Sequence, residues 1–91
     1  MNIEDLLLVL GIKKEGNYSS NGSYIIDLDS SEEFGKIYST LDSNEDLQYE
    51  EDSSLLTVDN GSMIYNYDDL YQIVLLADFK NNQYKITIRE I

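Results

Sequence analysis

The sequence predicts an α+β domain: two helices packed on one antiparallel sheet of about five strands, in the order helix, strand, helix, then strands. Three observations carry this. A helix-period apolar face runs through residues 34 to 41. Strict alternation marks Tyr84 to Ile91. Between and after them, turn dipeptides separate short segments rich in Ile, Val and Tyr. Helix signals come early and strand signals late, which is the pattern of helices segregated to one face of an antiparallel sheet.

Size and composition are consistent with one domain over residues 1–91. A chain of this length buries roughly 60–65% of its unfolded surface and needs no covalent staple. Its 42% apolar and tyrosine content is too high for a disordered acidic tail.

Residues 3 to 10 read as a short helix. Asn2 caps it, Glu4 and Asp5 suit the positive end of its dipole, and Gly11 stops it. Leu6, Leu7 and Leu10 supply the buried stripe; Leu8 and Val9, also apolar, predict cover on more than one side. A short strand is expected near Ile12 to Glu15. Asn17 to Gly22 reads as turn, with Asn21-Gly22 its strongest signal, and Ser23 to Leu28 as strand.

The second helix begins at a capping-box pattern, Ser30 with Glu33. Phe34, Ile37, Tyr38 and Leu41 fall on one face, and the helix is expected to end near Asp42 to Asn44. A meander follows. Leu47 to Glu51 is a strand candidate, and Leu55 to Asp59 and Ser62 to Tyr67 flank Asn60-Gly61, a favoured two-residue hairpin turn. Leu70 to Phe79 fits a helix by spacing and a buried strand by its Ile-Val-Leu-Leu run. Strand is preferred, because Lys80 to Asn82 then turns into the alternating segment Tyr84 to Ile91.

Charge narrows the functions open to such a domain. The chain has 18 acids against 6 bases, a net charge of −12. The window Ile37 to Phe79 holds ten acids and no base. Within it, five of the eight residues from Glu45 to Asp52 are acidic. This balance opposes nucleic acid and anionic membrane as partners and leaves a basic protein, a divalent cation or solubility alone. The chain has no Cys and no His, which removes thiolate and imidazole metal sites and the usual nucleophile systems. The longest apolar runs, Leu6 to Leu10 and Ile73 to Ala77, are five residues each, against about 20 for a membrane span. No basic region precedes the first apolar stretch, and a cytoplasmic location is expected. No catalytic residue, metal ligand or cofactor is assigned.

Two cation readings fail on spacing. A calcium loop starting at Asp27 puts Glu32 where Gly belongs, and one starting at Asp42 puts Leu47 there. Asp27, Asp29, Glu32 and Glu33 are better read as capping and dipole complement around the second helix's start. A two-metal nuclease would have to hold a phosphate backbone with six bases in the whole chain.

Two readings remain for the acidic stretch. One is a solvated edge kept acidic against aggregation. The other is a contact surface for a cationic groove. Extended residues 46 to 52 would put Asp46, Glu50 and Asp52 on one face with Gln48, and Glu51 on the other. Alternate residues then lie roughly 6.6 Å apart, on the scale of phosphates along a DNA strand, whose rise is ~3.4 Å per nucleotide. The candidate partner-binding residues are Glu45, Asp46, Tyr49, Glu50, Glu51 and Asp52, with Asp68 and Asp69 as a second patch. Tyr49 is expected to pack between the acids. Tyr65 and Tyr67 would share a face with Met63, on a half-buried sheet face or at an interface.

Several short segments resemble a known group. Asn2 to Leu7, Glu32-Glu33-Phe34 with Ile37, Leu55 to Asp59, and Asp78, Asn81 and Lys85-Ile86 together resemble the uracil-DNA glycosylase inhibitor family of small acidic phage proteins. The likeness covers about half the chain, with gaps. Gly22-Ser23-Tyr24 lacks the acid of that family's contact segment, and residues 60 to 70 would be partly an insertion. The opening six residues also resemble anti-CRISPR proteins that plug the DNA site of an RNA-guided nuclease. The resemblance implies two helices on a five-stranded antiparallel sheet. It also implies a non-catalytic DNA mimic that blocks a basic nucleic-acid-binding protein, a DNA repair enzyme or a CRISPR nuclease. An immunity protein against a nuclease toxin has the same physics. A monomer or weak dimer is expected.

Overall fold

A computed structural model describes residues 1–91. Helix α1 spans Ile3–Leu10. The Asn2 side chain accepts the Asp5 N–H at 2.8 Å, the Asp5 carboxylate accepts the Asn2 N–H, and Gly11 ends the helix at φ +73°. Ile3, Leu6, Leu7 and Leu10 are buried. Cover on a second side does not occur: Leu8 is 80% exposed and Val9 also lies at the surface. An eight-residue helix lying on a sheet has only one side to bury.

Strands β1 (Asn17–Tyr18) and β2 (Tyr24–Leu28) are joined by a turn in which Gly22 takes φ +88°. The expected strand at Ile12 to Glu15 is absent. Ile12 is buried against the core, and pairing begins only at Asn17, inside the segment read as turn.

Helix α2 spans Ser31–Asp42 and ends at Ser43. Only half of its capping box forms. Ser30 Oγ accepts the Glu33 N–H at 3.1 Å, while the Glu33 carboxylate accepts from Lys14 Nζ at 2.9 Å. Lys14 also reaches Asp29 at 2.9 Å. The acids at the helix start thus hold the α1–β1 connection. Phe34 and Leu41 are buried, and Ile37 and Tyr38 pack beside them.

Five strands follow: β3 (Leu47–Tyr49), β4 (Leu55–Leu56), β5 (Asn60–Tyr67), β6 (Tyr71–Asp78) and β7 (Gln83–Glu90). Residues 70 to 79 are therefore strand rather than helix, apart from their ends. The seven strands form one antiparallel sheet in the order β1-β2-β7-β6-β5-β3, with β4 also on the outer side of β5. The count exceeds the expected five because two short edge pieces, β1 and β4, add to it.

Asn60-Gly61 is not a turn. Asn60 and Gly61 open β5, opposite Asp78 and Ala77. The chain reverses one step earlier, where the Thr57 N–H donates to the Asn60 carbonyl at 2.8 Å. Gly61 serves packing: a Cβ there would lie 3.2 Å from Leu56 Cδ1 and 3.6 Å from the Ala77 Cβ.

Alternation along the long strands sets one sheet face under the helices. Met63, Tyr65, Tyr71, Ile73, Leu75, Ala77, Tyr84, Ile86 and Ile88 point there and join α1 and α2 in one buried cluster. Met63 and Tyr65 thus belong to the core, with Tyr67 packed against it. The opposite face carries no helix. No helix of the molecule is long and apolar enough to cross a membrane.

Candidate nucleic-acid-mimicking surface

Three pairs of acids sit in turns. Glu45 and Asp46 are the central residues of a turn linking α2 to β3, in which the Leu47 N–H donates to the Asn44 carbonyl at 3.2 Å. Asn44 Oδ1 tightens it by accepting the Asp46 N–H at 2.9 Å. Asp68 and Asp69 form the tip of the β5–β6 hairpin, closed by the Leu70 N–H on the Tyr67 carbonyl at 2.8 Å. Both take positive φ, +48° and +54°, a turn conformation usually given to Asn, Asp or Gly. Glu51 and Asp52 belong to a third turn, between β3 and β4, where the Ser54 N–H donates to the Glu51 carbonyl at 3.3 Å.

Register brings the first two pairs together. Leu47 lies opposite Tyr67, so the Glu45–Asp46 turn and the Asp68–Asp69 tip end adjacent strands, about 5 Å apart. Glu90, opposite Tyr71, closes the same end of the sheet. The C-terminus of α2, with no base in its last turn, leads directly into the Glu45–Asp46 turn and adds to the negative potential there. Glu51 and Asp52 stand farther along the β3–β4 edge.

The expected single row of acids does not form. Only residues 47–49 are strand, and the chain leaves the sheet after Glu50, so Asp52 is not in line with Glu50. The departure has a specific cause. The Glu50 N–H still reaches the Ile64 carbonyl at 2.8 Å. The return bond is replaced by Ser54 Oγ, which accepts the Ile64 N–H at 3.0 Å and donates to the Glu50 carbonyl at 2.6 Å. A serine hydroxyl thus stitches the edge shut around the excluded turn, and β4 resumes pairing beyond it.

Tyr49 does not pack between the acids. It pairs with Tyr65 and packs against its ring, tilted, with centroids 5.2 Å apart, on the helix side of the sheet. Glu50, the next residue along the edge, turns to the helix-free side, where it accepts from Asn66 Nδ2. There it lines a shallow depression with Asn66, Asp69, Gln72, Arg89 and Glu90. Glu50 and Asp69 meet across it, although they are nineteen positions apart.

None of Glu45, Asp46, Glu50, Glu51, Asp52, Asp68 or Asp69 has a base within ion-pair distance. All three ion pairs belong to Lys14 and Lys36, at the start of α2. The hydrogen bonds that Lys14 donates to Glu33 and Asp29 hold its ammonium pKa above the usual range. Arg89, the base nearest the depression, donates to Gln72 at 2.9 Å. Nowhere do three acidic side chains converge in a geometry that could hold a metal ion.

Sequence reasoning missed an apolar component of this edge. Leu55 and Leu56 are each 56% exposed and Val58 is 93% exposed. They follow directly on the Glu51–Asp52 turn. The sequence held no signal for this: Leu55 to Asp59 reads as a full strand, but only Leu55 and Leu56 pair, at a sheet edge with no second layer to bury them. No family model matches the chain, and neither a curated protein nor a solved structure matches it.

Proposed function

We propose that the protein is a non-catalytic inhibitor that imitates DNA and blocks the nucleic-acid-binding groove of a basic enzyme. The observation that carries this reading is the pairing of Asp68-Asp69 with Glu45-Asp46 at one end of the sheet, with no base in ion-pair reach. Protection of a sheet edge explains acids along β3 and β4. It does not explain two adjacent acids at a hairpin tip, where the positive φ of both residues would suit the neutral Gly or Asn at least as well as Asp. Acids kept where neutral residues would serve the turn equally well, and left unneutralised, suit a surface whose bases come from a partner. The exposed Leu55, Leu56 and Val58 then supply the apolar contact that slows dissociation, while the charges steer approach.

Uracil-DNA glycosylase is the proposed target, on the resemblance of the chain's short segments to inhibitors of that enzyme. The test is direct. Purified protein is titrated into a uracil-excision assay on duplex DNA, at about 50 mM and about 300 mM salt. Inhibition that weakens with salt is expected. Reversal of Asp68, Asp69 and Glu45 to Lys abolishes it. Inhibition that survives this reversal overturns the mimicry. If the glycosylase is untouched, capture from a bacterial lysate at low salt identifies the basic enzyme bound, an RNA-guided nuclease or a nuclease toxin among them.

A further inference from the structure

We propose that Asn21-Gly22, in the β1–β2 turn, is a self-modification site at which the Asn21 side-chain amide is lost through a cyclic imide, with water as co-reactant. The chemistry goes beyond the inhibitor reading and does not depend on it.

The step balances without oxidant or reductant. The Gly22 nitrogen loses its proton to base and attacks Asn21 Cγ. A Cγ–N bond forms, the Cγ–Nδ2 bond breaks, and ammonia leaves. Water then opens the five-membered imide at either carbonyl, giving aspartate or isoaspartate. Glycine in second place favours the attack, because it has no side chain to impede the nitrogen's approach.

The chain holds this dipeptide twice, each time followed by Ser: Asn21-Gly22-Ser23 and Asn60-Gly61-Ser62. The fold treats the two differently. Asn60 and Gly61 lie in β5, which pairs with β6 on one side and, from Gly61 on, with β4 on the other. The Asn60 N–H donates to Thr57 Oγ1 at 3.0 Å, and Gly61 is buried between Leu56 and Ala77. The Gly61 nitrogen reaches Asn60 Cγ only if strand pairing opens.

Asn21 and Gly22 are both exposed, and nothing lies within 4 Å of the place a Gly22 Cβ would take. One hydrogen bond opposes attack, from the Gly22 N–H to the Ser19 carbonyl at 3.1 Å, and an exposed turn opens at low cost. Two hydrogen bonds favour it. Asn21 Oδ1 accepts from Ser19 Oγ, and from the Ser23 N–H at 3.1 Å. Donors on that oxygen stabilise the oxyanion that forms when the nitrogen adds to Cγ.

Position gives the product its effect. Tyr24 lies opposite Ile88, and Ile88 opposite Ile73, so this turn stands at the sheet end that carries Glu90 and the Asp68–Asp69 tip. Asn21 and Glu90 line one depression there. Conversion places a carboxylate where a neutral amide stood. Isoaspartate also lengthens the main chain inside a turn closed by the Ser19 N–H on the Ser23 carbonyl at 2.7 Å. That loosens β1, which is held through two residue pairs.

The test incubates the purified chain at about pH 9, below the range in which phenol ionisation weakens the fold, and follows both dipeptides by peptide mass mapping. In the folded chain Asn21 should gain one mass unit about tenfold faster than Asn60, or more, because only its turn opens readily. In concentrated urea the two should react at similar rates, since dipeptide and following Ser are the same. S19A, checked for folding by circular dichroism, should slow the reaction at Asn21 severalfold. Equal rates at the two sites in the folded chain, or a preference for Asn21 that persists in urea, overturn the proposal. So does an S19A chain that folds and reacts at Asn21 as fast as the parent.

Discussion

At the scale of single residues, Ser54 and Asp69 pull in opposite directions. Ser54 Oγ satisfies both the Ile64 N–H and the Glu50 carbonyl, two backbone groups that the Glu51–Asp52 turn would otherwise strand. Ser54→Ala leaves both without a partner beside a half-buried strand. The expected loss is about 1–3 kcal/mol, seen as a lower urea midpoint with an unchanged slope. At φ +54° Asp69 carries a cost that Gly would not, though a smaller one than most L-residues would, since Asp tolerates this region. Asp69→Gly removes that cost and a like charge next to Asp68. It should stabilise the fold by about 1 kcal/mol, and under the inhibitor reading it should weaken inhibition. A stabilised variant that inhibits as well as the parent would remove Asp69 from the contact surface.

At the scale of elements, what the sequence made legible was periodicity. Helix α2 declares itself through Phe34, Ile37, Tyr38 and Leu41, and β7 through alternation, because burial of one face imposes the pattern; β6 does not, since its Ile-Val-Leu-Leu run fits helix and strand alike. The edge of the sheet has no such constraint, and there the reading slipped. Asn60-Gly61 carries turn chemistry, yet Gly61 is used for the room it leaves between Leu56 and Ala77, a tertiary demand invisible to local rules. Extended residues 46 to 52 would set Asp46, Glu50 and Asp52 in one row; in the fold Glu45, Asp46, Glu51 and Asp52 lie in turns, and Tyr49 faces away from Glu50. The composition of the candidate surface was legible, but its geometry was not. Tyr65 ties β5 to the end of α2, donating to Asp42 at 3.4 Å. Burial, then the Asp42 charge beside it, pushes its hydroxyl well above the ordinary tyrosine range. The native state therefore resists ionising a phenol that ionises near pH 10 once unfolded. The stabilisation is whole below pH 10 and falls as pH rises above it, by about 1.4 kcal/mol per pH unit from this group. Lys14, also raised, acts with the same sign in that window. Tyr65→Phe keeps the ring and removes the ionisation, so its urea midpoint should fall less steeply than the parent's between pH 10 and 11.5. Parallel curves would mean that Tyr65 does not govern the alkaline limb.

At the scale of the whole molecule, the distribution of charge matters more than its total. The bases that pair, Lys14 and Lys36, lie at the N-terminal end of α2, while the turn acids gather at the far end of the sheet and along its β3–β4 edge. The molecule measures 35 × 26 × 23 Å. At 10 mM salt the screening length is about 30 Å, close to that longest dimension, so nearly every acid repels every other. At 1 M it is about 3 Å, shorter than the gap between neighbouring strands. Sodium chloride should therefore stabilise the free protein between these limits, and each kcal/mol of repulsion screened should raise Tm by about 4–8 °C. A differential scan against salt checks this, with Glu45→Gln/Asp68→Asn as the comparison. That variant removes two charges from the crowded end, so it should start with a higher Tm at low salt and gain less from added salt. Equal gains for the two proteins would place the repulsion elsewhere on the surface. Equal gains would also remove the electrostatic argument that this end of the sheet is held ready for a partner's bases, whatever the outcome of the inhibition assay.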